Sequence, residues 1–214
     1  MAFADTVRMD TREDHEQAER SPFIVSLLSG DLDRRAHVEL LQALLPVYQT
    51  LESILLAQSG EASLSVFDDR RLDRHDRIAS DLRALGQDPA PEGAQLAASQ
   101  SYVRVIEAAS VSPQRLLAHH YTRYLGDMAG GRVIASRLRS EYAVDPAALT
   151  YYDFSSLDDI HGYRKQYKVH LDEVPWTAAE QAEFTEECRL AYRANSQLFA
   201  ELAALTSAAV DLPA

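Results

Sequence analysis

Three glycines stand inside one helical run, and their spacing suggests a surface shaped for something flat. In LLAHHYTRYLGDMAGGRVIASRLR, residues 116–139, apolar residues recur at helical steps. They fall at Leu117, Tyr121, Tyr124, Leu125 and Met128, then at Val133, Ile134 and Leu138. Gly126, Gly130 and Gly131 interrupt that pattern, although each glycine in a helix interior costs roughly 1 kcal/mol relative to alanine. The chain has eight glycines, and these three lie within one short window. A local rule broken in so concentrated a way marks a site. Gly126 and Gly130 are one turn apart and open the same face, so a large planar group can lie directly against the backbone. The Gly130-Gly131 pair also lets the helix bend. One carboxylate, Asp127, sits between the glycines, with Arg123 a turn earlier. Spacing alone leaves a second reading open, a tight helix–helix crossing that uses small residues in the same way.

Two further clusters carry polar chemistry. His15 lies in DTREDHEQAER, residues 10–20, one of the most polar helical windows of the chain. Such a window on its own describes a solvated histidine. Glu19, however, is one turn on, and a carboxylate there can accept the ring Nδ1–H and leave Nε2 free as a ligand. Arg8 lies two turns earlier on that face. The second cluster is YRKQYK, residues 163–168, which holds both lysines of the chain, Lys165 and Lys168. Arg164 and Lys168 are one turn apart on one face, equally suited to solvent or to an anion.

Other motifs are missing. No Glu-x-x-His occurs, which disfavours a ferritin-like di-iron site. There is no HExxH, phosphate loop or GxGxxG. His119 and His120 are expected to be structural, one of them bonding within the core, while His37, His75, His161 and His170 lack partner spacing. Cys188 reads as a small buried apolar residue.

The elements that must position these groups are all helical. Ser21-Pro22 starts a helix over Phe23–Leu28 that stops at Gly30. Helical periodicity runs from about Asp33 to Gln58, with Pro46 expected to kink it. Asp68–Leu85 reads as a charged, solvated helix, and Asp88–Gly93 as a loop. Gln95–Ala108 is helical, and Ser112-Pro113 opens the helix that carries the glycines. Tyr151–Ser156 is irregular and Leu157–Leu171 helical. A last long helix follows Pro175, with Thr177 and Glu180 as a capping box, and ends near Leu205. The expected fold is all-α, a single domain over residues 1–214. It is an irregular bundle of about eight helices, with a ligand held between the first helix and the glycine-bearing one.

Composition narrows the setting. With 214 residues the chain is long enough for one real core. A net charge of −12 argues against nucleic acid as a partner. No window approaches 18 consecutive apolar residues, so no membrane span or anchor is expected, and MAFADTVRMDTRED does not read as a signal peptide. One cysteine excludes an internal disulfide and fits a reducing cytoplasm.

YTRYLGDMAGGR, residues 121–132, closely resembles the distal helix of the haem oxygenases, and H-E-Q-A-E, residues 15–19, resembles their proximal ligand string. The resemblance covers most of the chain. It implies that haem is both cofactor and substrate, opened at a meso carbon to biliverdin, CO and ferrous iron with O2. Electrons would come from a separate ferredoxin or flavin reductase, since no flavin or nicotinamide motif is present. It implies His15 as the axial iron ligand, supported by Glu19, and Asp127 with Arg123 as the holder of a distal water network. Waters so held donate protons without a side chain blocking the iron. Gly126, Gly130 and Gly131 would lie against the ring. Arg8, Arg164, Lys168 and Tyr121 match groups that contact the propionates, and Asn195 and Phe199 match the family's pocket-supporting N-x-x-L-F pattern. One departure is Met128-Ala129, where the family commonly has Leu-Ser, which removes a distal hydroxyl. A soluble, bacterial-type, monomeric enzyme is expected. Two other readings are weighed against it. A haem carrier or sensor of the same fold would not need Asp127. A non-haem, thiaminase-like relative would need a reactive cysteine, and Cys188 has no obvious base.

Overall fold

The protein is described by a computed structural model over residues 1–89 and 96–210, with side chains to residue 207. Among these residues there are ten α-helices, four short 3-10 turns and no strand. The helices are α1 (Phe3–Asp10), α2 (Arg12–Glu19), α3 (Pro22–Ser29), α4 (Arg34–Ala57), α5 (Ala62–Ser65), α6 (His75–Ala84), α7 (Ala97–Ala109), α8 (Pro113–Glu141), α9 (Ile160–Glu173) and α10 (Ala178–Val210).

Local chemistry sets the boundaries. Ser21 caps α3 by accepting from the Ile24 amide at 3.4 Å, Pro22 opens the helix, and Gly30 closes it at φ 87°. Asp33 caps α4 through the Ala36 amide at 3.2 Å. Thr177 and Glu180 exchange hydrogen bonds as a capping box, and α10 then runs on to Val210, beyond the expected end. The glycine-bearing α8 is continuous over 29 residues. Three expectations need correction. The first helix divides at Thr11, so Arg8 lies on α1 and His15 on α2. The charged window from Asp68 is not one helix: a 3-10 turn at Arg70–Leu72 precedes α6. Leu157 belongs to a 3-10 turn, and α9 starts only at Ile160. Of the expected Asp88–Gly93 loop, the part after Pro89 lies outside the described residues.

Helix α10 packs on α8, α7, α2 and α3, and α4 packs on α7, α6 and α8. By length and composition α4 would suffice to cross a membrane, but it is a core helix: 56% of its most apolar window is buried, including Leu40, Leu41, Leu44, Tyr48 and Leu51. Pro46 lies within it without ending it.

A polar layer runs under this core. Arg74 is fully buried, an expensive placement unless its charge is met. Its guanidinium donates to the carbonyls of Leu72, Arg71, Tyr151 and Asp153 at 2.7–3.1 Å. Its face lies 4.0 Å from the Phe154 ring. Asp81, also fully buried, accepts from the Thr150 amide and hydroxyl and from the Tyr151 amide at 2.6–2.9 Å. Two buried charges thus fix the backbone of Thr150–Tyr152, a segment with no periodicity of its own.

The histidines are more engaged than their spacing suggests. His37 is fully buried with Nε2 3.2 Å from the Ala148 carbonyl, and burial lowers its pKa to about 4. His120 stacks on Tyr167 and meets its hydroxyl at 2.8 Å, and burial lowers its pKa to about 3. His75 and His170 also have carboxylate neighbours, Asp76 and Glu173. In the unfolded chain His37 takes up its proton near pH 6.5, whereas the folded form resists until about pH 4. Between those values the unfolded state binds more protons, so stability is lost as pH falls through the window. For His37 the loss is on the order of 3 kcal/mol, at about 1.4 kcal/mol per pH unit. Urea unfolding of the parent and of His37→Gln at pH 7 and pH 4.5 tests this. The difference between the two proteins cancels the titration of buried Glu52 and Asp81, which burial raises and which act in the opposite sense. The parent should lose more stability than the variant on acidification. Equal losses would contradict the assignment.

Candidate haem site between α2 and α8

A cavity of about 420 Å³ opens between α2, α8 and α10, with α3 and α4 at its back. That lies within the roughly 300–1,000 Å³ of cofactor and small-molecule sites. Its apolar wall includes Ile24, Leu28, Leu40, Leu44, Val133, Ile134 and Phe199. His15 and Glu19 contribute from α2, and Gly126, Asp127, Ala129, Gly130 and Gly131 from α8.

The glycines divide by what a side chain would meet. A Cβ at Gly126 or Gly130 would find nothing within 4 Å, so both leave bare backbone facing open space. At Gly131 a Cβ would meet the Tyr152 ring at 3.4 Å. Gly131 therefore serves a close packing of α8 on the Thr150–Tyr152 turn as well as edging the cavity. Ala129, the departure from the family pattern, also lines the cavity.

Asp127 is met by two tyrosines distant in sequence and by its own helix neighbour Arg123. Its Oδ2 accepts from the Tyr48 hydroxyl on α4. Its Oδ1 accepts from the Tyr151 hydroxyl at 2.9 Å and from Arg123 Nη2 at 3.3 Å. Arg123 is itself buried and donates from Nε and Nη2 to the Tyr48 oxygen at 3.1 and 2.9 Å, and from Nη2 to Tyr151 at 3.2 Å. Its Nη1 donates to Asn195 Oδ1 at 2.7 Å. Burial opposes the guanidinium charge, but Tyr48 and Asp127 around it more than offset that, so its pKa is held above the usual value. Burial pushes the phenols of Tyr48 and Tyr151 upward, so both are neutral donors. Each has one proton, and each spends it on Asp127. The result is a connected polar cluster whose carboxylate edge reaches the cavity.

On the opposite wall His15 is half exposed, and Tyr192 holds its ring edge-to-face at 5.5 Å. The expected arrangement of the histidine is corrected: Nε2, not Nδ1, lies nearest Glu19, at 3.6 Å. Nε2 is the outer ring atom and is the one that reaches a carboxylate a turn away, whereas Nδ1 stays close to its own helix. For Nε2 to serve a metal, the Glu19 side chain has to yield it.

The remaining expected residues fall into two groups. Asn195 and Phe199 line the cavity, Asn195 as the partner of Arg123 and Phe199 stacked on Phe23 at 6.2 Å. Tyr121, Arg8, Arg164 and Lys168 do not line it. Arg8 is on α1 and Arg164 and Lys168 are on α9, two helices that pack together with the Ala4 amide donating to Asp172 at 2.7 Å, and Tyr121 on α8 meets α9 through the Tyr167 ring at 6.2 Å. Burial, more than any neighbouring charge, pushes the Tyr121 phenol up, with Arg8 and Arg164 acting the other way. The buried Arg164 Nε has no hydrogen-bond partner. Among the described residues no three His, Cys, Asp or Glu side chains cluster to hold a metal. A metal here would have to bring most of its own ligands. Tyr48, Tyr151 and Tyr192 are the functional candidates that sequence reasoning missed.

Fold and cavity together define an all-helical protein with bare helix backbone facing a single histidine. A family model described as heme oxygenase matches residues 1–201, and the chain belongs to that family. It is similar to the heme oxygenase of Porphyra purpurea, 28% identical over 94% of this chain and 86% of that one. Heme oxygenase 1 of Synechocystis sp. is also 28% identical, over 94% and 84% of the two chains. The solved structure of a Synechocystis heme oxygenase-1 in complex with heme superposes with a TM-score of 0.91 at 25% identity, covering 98% of this chain and 96% of that one. The heme oxygenase structure from Leptospira interrogans gives 0.88 at 28% identity, with 94% and 100% coverage.

If Gly130 is kept bare for a ligand rather than for packing, Gly130→Leu should fit the ligand-free fold. Replacing an interior glycine should even raise stability by up to about 1 kcal/mol, or about 2–4 °C in melting temperature. Hemin affinity should drop about tenfold or more, a loss of about 1.4 kcal/mol or greater. A lower melting temperature with unchanged hemin affinity would mean that Gly130, like Gly131, serves packing.

Proposed function

We propose that the cavity between α2 and α8 takes haem as its substrate and holds it for oxidative opening of the ring. The observation that carries this reading is the pairing, in one cavity, of a histidine on α2 with a glycine-bare face of α8 that presents Asp127 beside it. The chain is a haem-degrading monooxygenase by family, and the residues fit that substrate. The apolar walls suit a porphyrin, the bare backbone at Gly126 and Gly130 admits its face, and His15 supplies a neutral nitrogen for iron. Arg8, Arg164 and Lys168, with Tyr121, are assigned to the propionate carboxylates by the family resemblance, although they do not line the cavity.

Haem supplies the site for O2 and the carbon that is oxidised, and the expected products are biliverdin, CO and ferrous iron. The protein's part is orientation and proton supply. Bare backbone at the glycines keeps side chains off the iron face. Asp127 stands back from that face and holds water through its cavity-facing oxygen, since water in an apolar cleft needs a polar anchor. Arg123 keeps that carboxylate in place, and Asn195 keeps Arg123 in place. Protons then reach the reacting oxygen through water. Electrons are assigned to an external ferredoxin or flavin reductase, and the protein is assigned to the cytoplasm as a monomer. A haem carrier of the same fold would not need Asp127 to face the cavity, and the carboxylate lines it, so the catalytic reading is preferred.

Purified protein with hemin, a reductant and air tests the assignment. The parent should convert hemin to biliverdin. Asp127→Ala should bind hemin within a few-fold of the parent yet give less biliverdin and more oxidation of a peroxidase dye. Normal biliverdin yield from that variant would sink the relay role. In the same assay Arg164→Glu should weaken hemin binding or change the biliverdin isomer. If neither moves, the α1–α9 cations are a solvated face.

A further inference from the structure

Tyr151 is not accounted for by the distal role of Asp127 and Arg123 alone. Its ring is 3% exposed and edges the cavity, and its hydroxyl sits among Asp127 Oδ1 at 2.9 Å, Arg123 Nη2 at 3.2 Å and the Tyr48 oxygen at 3.2 Å. Its backbone is held on both sides, the amide by Asp81 at 2.8 Å and the carbonyl by Arg74 at 3.1 Å. The backbone so anchored cannot shift away from the cluster without breaking bonds to two buried charges, and the side chain starts from that fixed point.

Donor counting then gives it a task. A carboxylate offers about four acceptor sites. Tyr151 and Arg123 occupy two on Oδ1, and Tyr48 occupies one on Oδ2. One acceptor site is left. Without the Tyr151 hydroxyl, Oδ1 regains a free site and the carboxylate can turn about its own bond, because only Tyr48 and the longer Arg123 contact at 3.3 Å would hold it.

We infer that Tyr151 is a positioning residue for Asp127: its hydroxyl fixes the rotation of the carboxylate so that one acceptor site is offered to cavity water. This rests on the reading of Asp127 as the holder of the distal water. Tyr151 touches neither haem iron nor the reacting carbon in this role and acts through Asp127.

The test uses full-length protein loaded with hemin, as parent, Tyr151→Phe, Asp127→Asn and the double variant. Phenylalanine keeps the ring and its packing, so the melting temperature should stay within a few degrees. Two readouts are taken. One is the pH midpoint at which the ferric hemin complex passes from its acidic to its alkaline visible spectrum, which responds to the hydrogen bonding of cavity water. The other is turnover, split into hemin affinity and the rate of biliverdin formation. Tyr151→Phe should keep hemin affinity within about twofold, move the midpoint by roughly half a pH unit or more, and slow biliverdin formation about tenfold, about 1.4 kcal/mol. In the Asp127→Asn background the same change should shift the midpoint by less than about 0.3 pH unit and the rate by less than about twofold. Equal effects in both backgrounds, or no effect in the parent, would overturn the proposal. If Asp127→Asn forms biliverdin at the parent rate, the relay reading fails. The midpoint cycle then still decides whether Tyr151 acts through Asp127.

Discussion

A guanidinium buried in an all-helical bundle has to be surrounded by oxygen. Arg74 finds that oxygen in backbone carbonyls of turns, but Arg123 lies among helices whose carbonyls are spent on themselves. Arg123 on α8 meets this constraint with side chains from three other parts of the chain: Tyr48 from α4, Tyr151 from the turn before α9, and Asn195 from α10, together with its own neighbour Asp127. The packing of those elements around α8 is therefore tied to one charge. Removing Tyr48 or Asn195 leaves Nε or Nη1 unmet, at about 1–3 kcal/mol or more for a charged group, whereas Nη2 has three acceptors and keeps two if Tyr151 is lost.

The same arrangement shapes the cavity. Asp127 balances Arg123, so its carboxylate is pulled toward the cluster and away from the space over Gly126 and Gly130. Two tyrosines finish the enclosure on one side. The bare glycine backbone stays free on the other. A deeper polar layer supports this one, because Arg74 and Asp81 hold the Tyr151 backbone and Glu52 ties the Arg74 amide to the Tyr124 hydroxyl. The cavity is thus built on buried charges whose partners are spread along the sequence, which favours one arrangement of the helices over near neighbours.

How far this could be read beforehand varied by residue for physical reasons. Gly126, Gly130 and Asp127 declared themselves because they break helical composition within one window, and a broken local rule is visible locally. The helix starts at Ser21-Pro22 and Thr177 are local too, and each forms. Tyr48 was hidden because a tyrosine at helical spacing reads as core, and its polar end meets Asp127 from 79 residues away. Tyr151 lies in a 3-10 turn with no period to read, ordered only by Asp81 and Arg74. Arg74 itself sits in a window so charged that it passed for solvated surface, whereas carbonyls and an aromatic face bury it completely. Which nitrogen of His15 faces Glu19 is a matter of side-chain rotation, and spacing cannot fix it.

Under the proposed function His15 is the ligand of the substrate iron, across the cavity from the Arg123–Asp127 cluster. Resonance Raman spectroscopy of the ferrous hemin complex addresses that bond directly. The parent should show an iron–imidazole stretching band that His15→Ala loses and that added imidazole restores. An unchanged band in His15→Ala would contradict the account, because the iron would then be held by another residue and the cavity faced from another side.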